Sequence, residues 1–305
     1  MTKTATAPTT TGVSISPPIY LLSGFADYPA LVQGCSTRTR PAGAWGGRAD
    51  WNLKRLGTDP EAAEAGWQAF TATLGIPAER MVAPQQIHGT IVAEVGDPDA
   101  GRGSMAGNRG VVGADALITR TPGLLLLTGC ADCVPVFIYD PQTPAVGLAH
   151  AGWKGTAGRI AEATVAEMAR AFGTDPAACV AVIGPSIGPC CYDVGGEVVE
   201  AIRDAYPDAD GEWYGEPPLL VWSRRRAAWK DQLGLPRTEP ETDEKPFLDL
   251  WNASRRALID AGLPPENVWI EGICTAEMTD LFYSHRAEQG AAGRFVGFLG
   301  LPNSG

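Results

Sequence analysis

From Ala114 to Ile183 the chain is a succession of short apolar runs, each cut off by glycine, proline or aspartate. Ala114 to Thr119, Leu124 to Thr128, Val134 to Tyr139, Ala145 to Ala149 and Val180 to Ile183 are too short for buried helices and read as strands. Asp140-Pro141 turns the third run into the fourth. The pattern changes after His150, where Gly152-Trp153-Lys154-Gly155-Thr156 opens a helix running to about Phe172, with Ile160, Val165 and Met168 on one face. Glu197 to Ala205 and Leu248 to Ala261 are also helical, the latter stopped by Gly262 ahead of Pro264. Val268 to Ile273 and Phe295 to Leu299 complete the strands. The reading is α+β, a mixed α/β chain.

Two stretches, 96–110 and roughly 208–246, read as loops, and neither divides the chain, because motifs continue on both sides. One domain over 18–305 is expected, behind a disordered tail over 1–17 composed mainly of Thr, Ala, Pro and Ser. That tail lacks the apolar core of a signal peptide, and the longest apolar run, near Gly123 to Thr128, is too short to span a bilayer. A cytoplasmic location is therefore expected. Asp and Glu number 35 against 24 Lys and Arg, a net charge of -11, which repels nucleic-acid backbones and anionic membranes. The expected partner is a small molecule, which an acidic protein can still hold by a local cationic pocket, and the expected state is a monomer or homodimer.

Seven Cys and three His carry the chemistry. An odd Cys count in a long chain argues against a disulfide framework. His88 lies in Gln85-Gln86-Ile87-His88-Gly89. His150 ends a buried-type strand before the Gly-rich turn, a junction at which α/β proteins place function. Backbone N–H groups there, with Lys154, suit an anion. Cys133 follows Cys130-Ala131-Asp132, and the strand–turn–strand between Cys133 and His150 brings their outer ends together. Three N/S ligands with an open fourth position are the arrangement of a catalytic zinc. Two competing readings remain at this stage. Each His also fits a structural role, and Cys130 and Cys133 form a C-x-x-C of redox or structural-zinc type, although a closed zinc site needs four ligands and no second C-x-x-C exists. Cys190 and Cys191, adjacent and poorly placed to chelate together, read as small residues packing a turn; Cys35, Cys179 and Cys274 read as inert core thiols.

Gln85-Gln86-Ile87-His88-Gly89, Ala131-Asp132-Cys133-Val134-Pro135-Val136, His150-Ala151-Gly152-Trp153-Lys154-Gly155-Thr156 and Gly184-Pro185-Ser186-Ile187-Gly188-Pro189-Cys190-Cys191-Tyr192 occur in this order. Together they resemble the YfiH family, the laccase-domain family often labelled polyphenol oxidase. The likeness runs from about Gly24 to Leu301 and includes Ser36-Thr37-Arg38, Trp51-Asn52-Leu53, Cys274-Thr275, Tyr283-Ser284-His285-Arg286 and Gly293-Arg294. The resemblance implies a four-layer αββα sandwich and one Zn2+ held by His88, Cys133 and His150. It implies phosphorolysis of adenosine, inosine and methylthioadenosine, with adenosine deamination. A hydrolase removing a wrong amino acid from a peptidoglycan precursor is the alternative enzyme, and a zinc-stabilised binding protein the non-catalytic one. Arg38, Lys154 and Arg286 are the expected phosphate-positioning cations, Asn52 the expected ribose or base contact, and Asp132 the expected general acid or base. The chain departs from the family pattern at Gly66-Trp67, where Asn-Arg is common, in a longer loop between His88 and Cys133 expected to alter the pocket rim, and at His285, which replaces an aromatic residue and is given no metal role. Four-copper laccase chemistry needs about ten His; three cannot supply it.

Overall fold

The computed structural model describes residues 19–38, 60–105, 107–213, 216–221 and 245–303. The tail over 1–17, Asn52 and most of the 208–246 loop lie outside the described residues. Two mixed sheets form the centre. The five-stranded sheet has the order β1-β2-β13-β6-β3, from Ile19–Tyr20, Val32–Ser36, Phe295–Gly300, Leu125–Cys130 and Met81–Val82. The six-stranded sheet has the order β12-β9-β7-β8-β5-β4, from Val268–Ile270, Val180–Ile183, Val134–Asp140, Ala145–Ala151, Ala116–Thr119 and Val92–Glu94. A small ribbon pairs β10 (Leu220–Val221) with β11 (Phe247–Leu248).

The apolar runs lack alternation because both faces of each sheet are covered. In β7, Val134, Val136 and Ile138 face one core and Phe137 the other. The first core lies under helices α3 (Ile160–Phe172), α4 (Gly196–Ala205) and α5 (Leu250–Asp260), through Ile160, Val165, Met168, Val199, Ile202, Leu250 and Ala257. The second core fills the space between the sheets, with Leu126, Phe295 and Leu299 from one and Leu117, Phe137, Leu148 and Val182 from the other. A third core joins Trp67 and Phe70 of α1 (Pro60–Leu74) to Leu125, Leu127, Val296 and Phe298 on the outer face of the five-stranded sheet. Helix, sheet, sheet and helix make the αββα sandwich. Trp67, a departure from the family pattern, is spent on this packing: it is buried and meets Phe70 edge-on at 6.0 Å.

One detail differs from the sequence reading. The helix after His150 is not continuous. A short α2 (Trp153–Ala157) precedes α3, and Arg159 between them is left-handed, at φ 58°. The break lets the chain turn beneath the His88 loop: a Cβ on Gly158 would stand 2.3 Å from Thr90 Cγ2. Arg159 then pairs with Glu162 and, at 2.6 Å, with Asp260 of α5. The 96–110 segment is a loop, as read from the sequence apart from a short 3-10 turn over Asp97–Asp99, and it is held against its neighbours. Ser104 Oγ donates to the carbonyls of Ala78 and Met81 at 2.7 and 3.0 Å, and Val111 N to that of Ala83 at 2.9 Å.

Phe137 is fully buried and reaches across the sandwich to Gly297 of β13, where a Cβ would lie 3.0 Å from its ring. Phe137→Ala is expected to lower the free energy of unfolding by about 3–5 kcal/mol, measured by urea denaturation, because the opposing glycine offers no side chain to fill the cavity.

Candidate metal centre

The hairpin of β7 and β8 sets the distance between Cys133 and His150. Asp140 pairs with Ala145 at the turn, and its carboxylate accepts from Gln142 N and Thr143 N at 2.9 and 3.1 Å. From that closed end the register runs without slip to Pro135 opposite His150 and Val134 opposite Ala151. Cys133 therefore emerges beside Gly152. A Cβ at Gly152 would stand 3.1 Å from both Cys133 Sγ and His88 Cδ2, so only glycine leaves room for the three side chains to converge.

His88 arrives from a separate loop that joins β3 to β4. Gln86 and His88 are both left-handed, at φ 59° and 61°, a conformation that must be held by its surroundings in non-glycine residues. The Gln86 side chain exchanges two hydrogen bonds with the Gly129 backbone, donating at 2.8 Å and accepting at 2.9 Å. Gln85 Oε1 accepts from Gly113 N at 2.9 Å. The main constraint is Asp115, which is fully buried. Its carboxylate accepts the backbone N–H groups of Ile87, His88 and Gly89 at 3.1, 2.9 and 2.8 Å. It also meets His150 Nδ1 at 3.1 Å. One carboxylate thus places both imidazoles, and it directs His150 Nε2 toward Cys133.

Donor atoms of His88, Cys133 and His150 all lie within 4.8 Å of one another, and the two imidazole rings are 5.0 Å apart between centroids. His150 is buried, Cys133 half-buried and His88 exposed, so the group is open on the His88 side. Burial alone would raise the Cys133 thiol; the charge of His150 and hydrogen bonds from His150 and His88 overcome it and bring the thiol to about 6. Burial also opposes a charged His150, but the Cys133 thiolate, followed by Asp115, raises it to about 9. The pair is thiolate and imidazolium, in which a metal takes the place of the proton. Two imidazoles and one thiolate, with a carboxylate behind one imidazole, fit zinc in coordination chemistry and in outer support.

The other residues singled out from the sequence fall in distinct places. Asp132, left-handed at φ 84°, is buried beside Cys133. Its Oδ1 accepts from Thr275 Oγ1 at 2.7 Å, its Oδ2 from Arg286 N at 2.6 Å and its carbonyl from Ile187 N at 3.0 Å. The Arg286 guanidinium pairs with Asp193 and donates to the Cys191 carbonyl at 3.3 Å. Arg38 pairs with Glu288 at 2.9 Å and lies over the Tyr283 ring at 4.6 Å. Lys154, exposed on α2, lies with its ammonium 5.3 Å from the Trp153 ring centroid. Sequence reasoning passed over Asp115. Its only signal was an acidic residue opening an otherwise apolar strand, in Gly113-Ala114-Asp115-Ala116.

With this geometry in hand, the chain can be set beside known proteins. A family model described as multi-copper polyphenol oxidoreductase laccase matches residues 34–302. The chain belongs to this family. It is 36% identical over 236 residues to purine nucleoside phosphorylase YlmD of Geobacillus stearothermophilus, covering 77% of this chain and 75% of that one. It is 32% identical over 225 residues to adenosine deaminase RL5 of an unknown prokaryotic organism, covering 73% and 76%. The crystal structure of the hypothetical protein YfiH from Bacillus licheniformis superimposes with a TM-score of 0.78 at 29% identity, over 93% of this chain and 97% of that one. No helix among the described residues is long and apolar enough to cross a membrane.

Asp115→Asn removes the charge that braces the His150 imidazole and the backbone of the His88 turn. It is expected to weaken metal binding about 10–100-fold in a chelator competition, with an unchanged far-ultraviolet circular dichroism spectrum.

Proposed function

We propose that this protein is a zinc-dependent purine nucleoside phosphorylase acting on adenosine, inosine and methylthioadenosine, with adenosine deamination at the same centre. The observation that carries the reading is the three-donor group of His88, Cys133 and His150, open on one side. The names borne by relatives, purine nucleoside phosphorylase and adenosine deaminase, support it.

Zinc, when bound, supplies Lewis acidity toward a phosphate oxygen or a water. The chain's own residues do the rest. His150 is held by Asp115 through Nδ1, so its Nε2 faces the site in a fixed orientation. His88 is held through its backbone and forms the exposed wall that substrate reaches first. Lys154, four residues beyond His150 in the chain and exposed, is the cation we assign to the phosphate nucleophile. Arg286 and Arg38 already hold Asp193 and Glu288, so they would shape the anion's surroundings through those pairs. Asn52 is assigned the ribose or base contact. Asp132 would have to release the Thr275 or Arg286 donor before it could move a proton. We therefore assign it the positioning of Cys133 in preference to acid–base work.

Mass spectrometry of products from adenosine and inosine, with and without phosphate, tests this reading. Free base with ribose 1-phosphate is expected only when phosphate is present, and Cys133→Ala should abolish it. Base release at the same rate without phosphate would refute phosphorolysis. In the same samples, conversion of adenosine to inosine reads deamination.

A further inference from the structure

The structure gathers a second group of potential metal donors that the site above does not use. The sulfurs of Cys190, Cys191 and Cys274 all lie within 4.8 Å of one another. The sequence reading takes Cys190 and Cys191 as turn packing and Cys274 as an inert core thiol; the structure does bury Cys190 and Cys274 in the core under the helices, and it also brings all three sulfurs together. Two loops that are distant in the chain meet through a parallel bridge between Ser186 and Cys274: Ser186 N donates to Ile273 O at 3.1 Å and Thr275 N to Ser186 O at 3.0 Å. A tight turn then closes with Cys191 N donating to Gly188 O at 3.0 Å, which curls the adjacent cysteines toward Cys274. Gly188 is pressed under Trp251, where a Cβ would stand 2.7 Å from the indole ring. That close approach aims Gly188 N at Cys274 Sγ, 3.3 Å away.

Plain packing of thiols calls for apolar surroundings. Cys190 and Cys274 have such surroundings, but the cluster also has a carboxylate at its mouth: Glu277 Oε1 is 3.4 Å from Cys191 Sγ and half-buried. The backbone N–H directed at a sulfur stabilises a thiolate. Cys190 and Cys274 are buried, while Cys191 and Glu277 are partly open, which gives an ion a way in.

We propose that Cys190, Cys191 and Cys274, with the Glu277 carboxylate as fourth donor, form a second metal site that takes Zn2+. The three sulfurs already converge, and the Glu277 carboxylate, in contact with Cys191 alone, would turn in to close a tetrahedral set of the structural type, in contrast to the open three-donor centre. The hard carboxylate favours Zn2+ over Cu+, which thiolates alone would accept. The site would clamp the Gly184–Cys191 loop to the loop that follows Cys274. Both loops reach the first centre through Asp132, which accepts from Ile187 N and Thr275 Oγ1. The second ion would thereby stiffen the support of Cys133 without touching substrate. This inference does not depend on the reaction assigned above.

The test uses the full-length protein, reduced and loaded anaerobically with Zn2+ alone, then separately with Co2+ alone. Wild type is expected to bind about two equivalents of zinc per chain, and Cys191→Ser, Cys274→Ser and Cys133→Ser about one each. With cobalt, the thiolate charge-transfer absorption should persist in Cys133→Ser and lose most of its intensity in Cys191→Ser, because most of the thiolates lie in the second site. Glu277→Gln, a mild change on a partly open residue, should weaken the second equivalent selectively. Three outcomes would overturn the proposal. One is wild-type uptake of about one equivalent, lost in Cys133→Ser. Another is a second equivalent that survives both Cys191→Ser and Cys274→Ser. The last is a disulfide between two of the three cysteines, mapped in protein loaded under these reducing conditions.

Discussion

A single buried carboxylate organises the centre of this protein. Asp115 accepts three successive backbone N–H groups of the Ile87–Gly89 turn and braces the His150 imidazole with the same two oxygens. The turn it holds contains His88 in a left-handed conformation, which a histidine would not keep unaided. A charged group with no solvent contact is tolerable only when several donors surround it. Asp115 has backbone donors on one side and an imidazole on the other, so its burial and the convergence of the two imidazoles are one arrangement.

The surrounding sandwich supplies rigidity by covering the central strands β5, β7, β8 and β9 on both faces. Successive residues of β7 enter different cores, Val136 under the helices and Phe137 between the sheets. A one-residue slip of the β7–β8 hairpin would exchange these faces and carry Cys133 away from His150. Packing of the cores and alignment of the donors are thus enforced by the same register. The glycines at the close approaches have the same logic. Gly297 admits the Phe137 ring, Gly152 leaves space for Cys133 and His88, and Gly158 lets Thr90 lie against the helix break.

Asp132 links this centre to the rest of the molecule. Its position next to Cys133 invites a catalytic reading, yet its two oxygens and its carbonyl are engaged by Thr275, Arg286 and Ile187. Those three residues come from the loops that carry the second cysteine group and the Arg286–Asp193 pair. It is a buried residue that unites separate segments beside Cys133, so changes in those segments would be felt there.

The sequence by itself determined the central strands between Ala114 and Ile183 and the last one at Phe295, because short apolar runs between turn residues have few other solutions, whereas β1 to β4, β10 and β11 are too short or too polar to show such a pattern. It also singled out His88, Cys133 and His150, because a chain with three His and motifs in a recognisable order offers few candidates, and the structure brings those three side chains together. Local pattern did not show the break at Arg159, where the chain also passes so close to Thr90 that only glycine fits at 158. Nor could it show the part played by Asp115, whose partners are backbone groups 26 to 28 residues away and a histidine 35 residues away. The meeting of Cys274 with Cys190 and Cys191 was equally hidden. Adjacent cysteines look unable to chelate until the bridge between Ser186 and Cys274 brings in a third. Periodicity and residue type are local quantities and can be read along a chain, whereas hydrogen-bond partners and converging sulfurs are set by which distant segments pack together, and that only the tertiary structure decides.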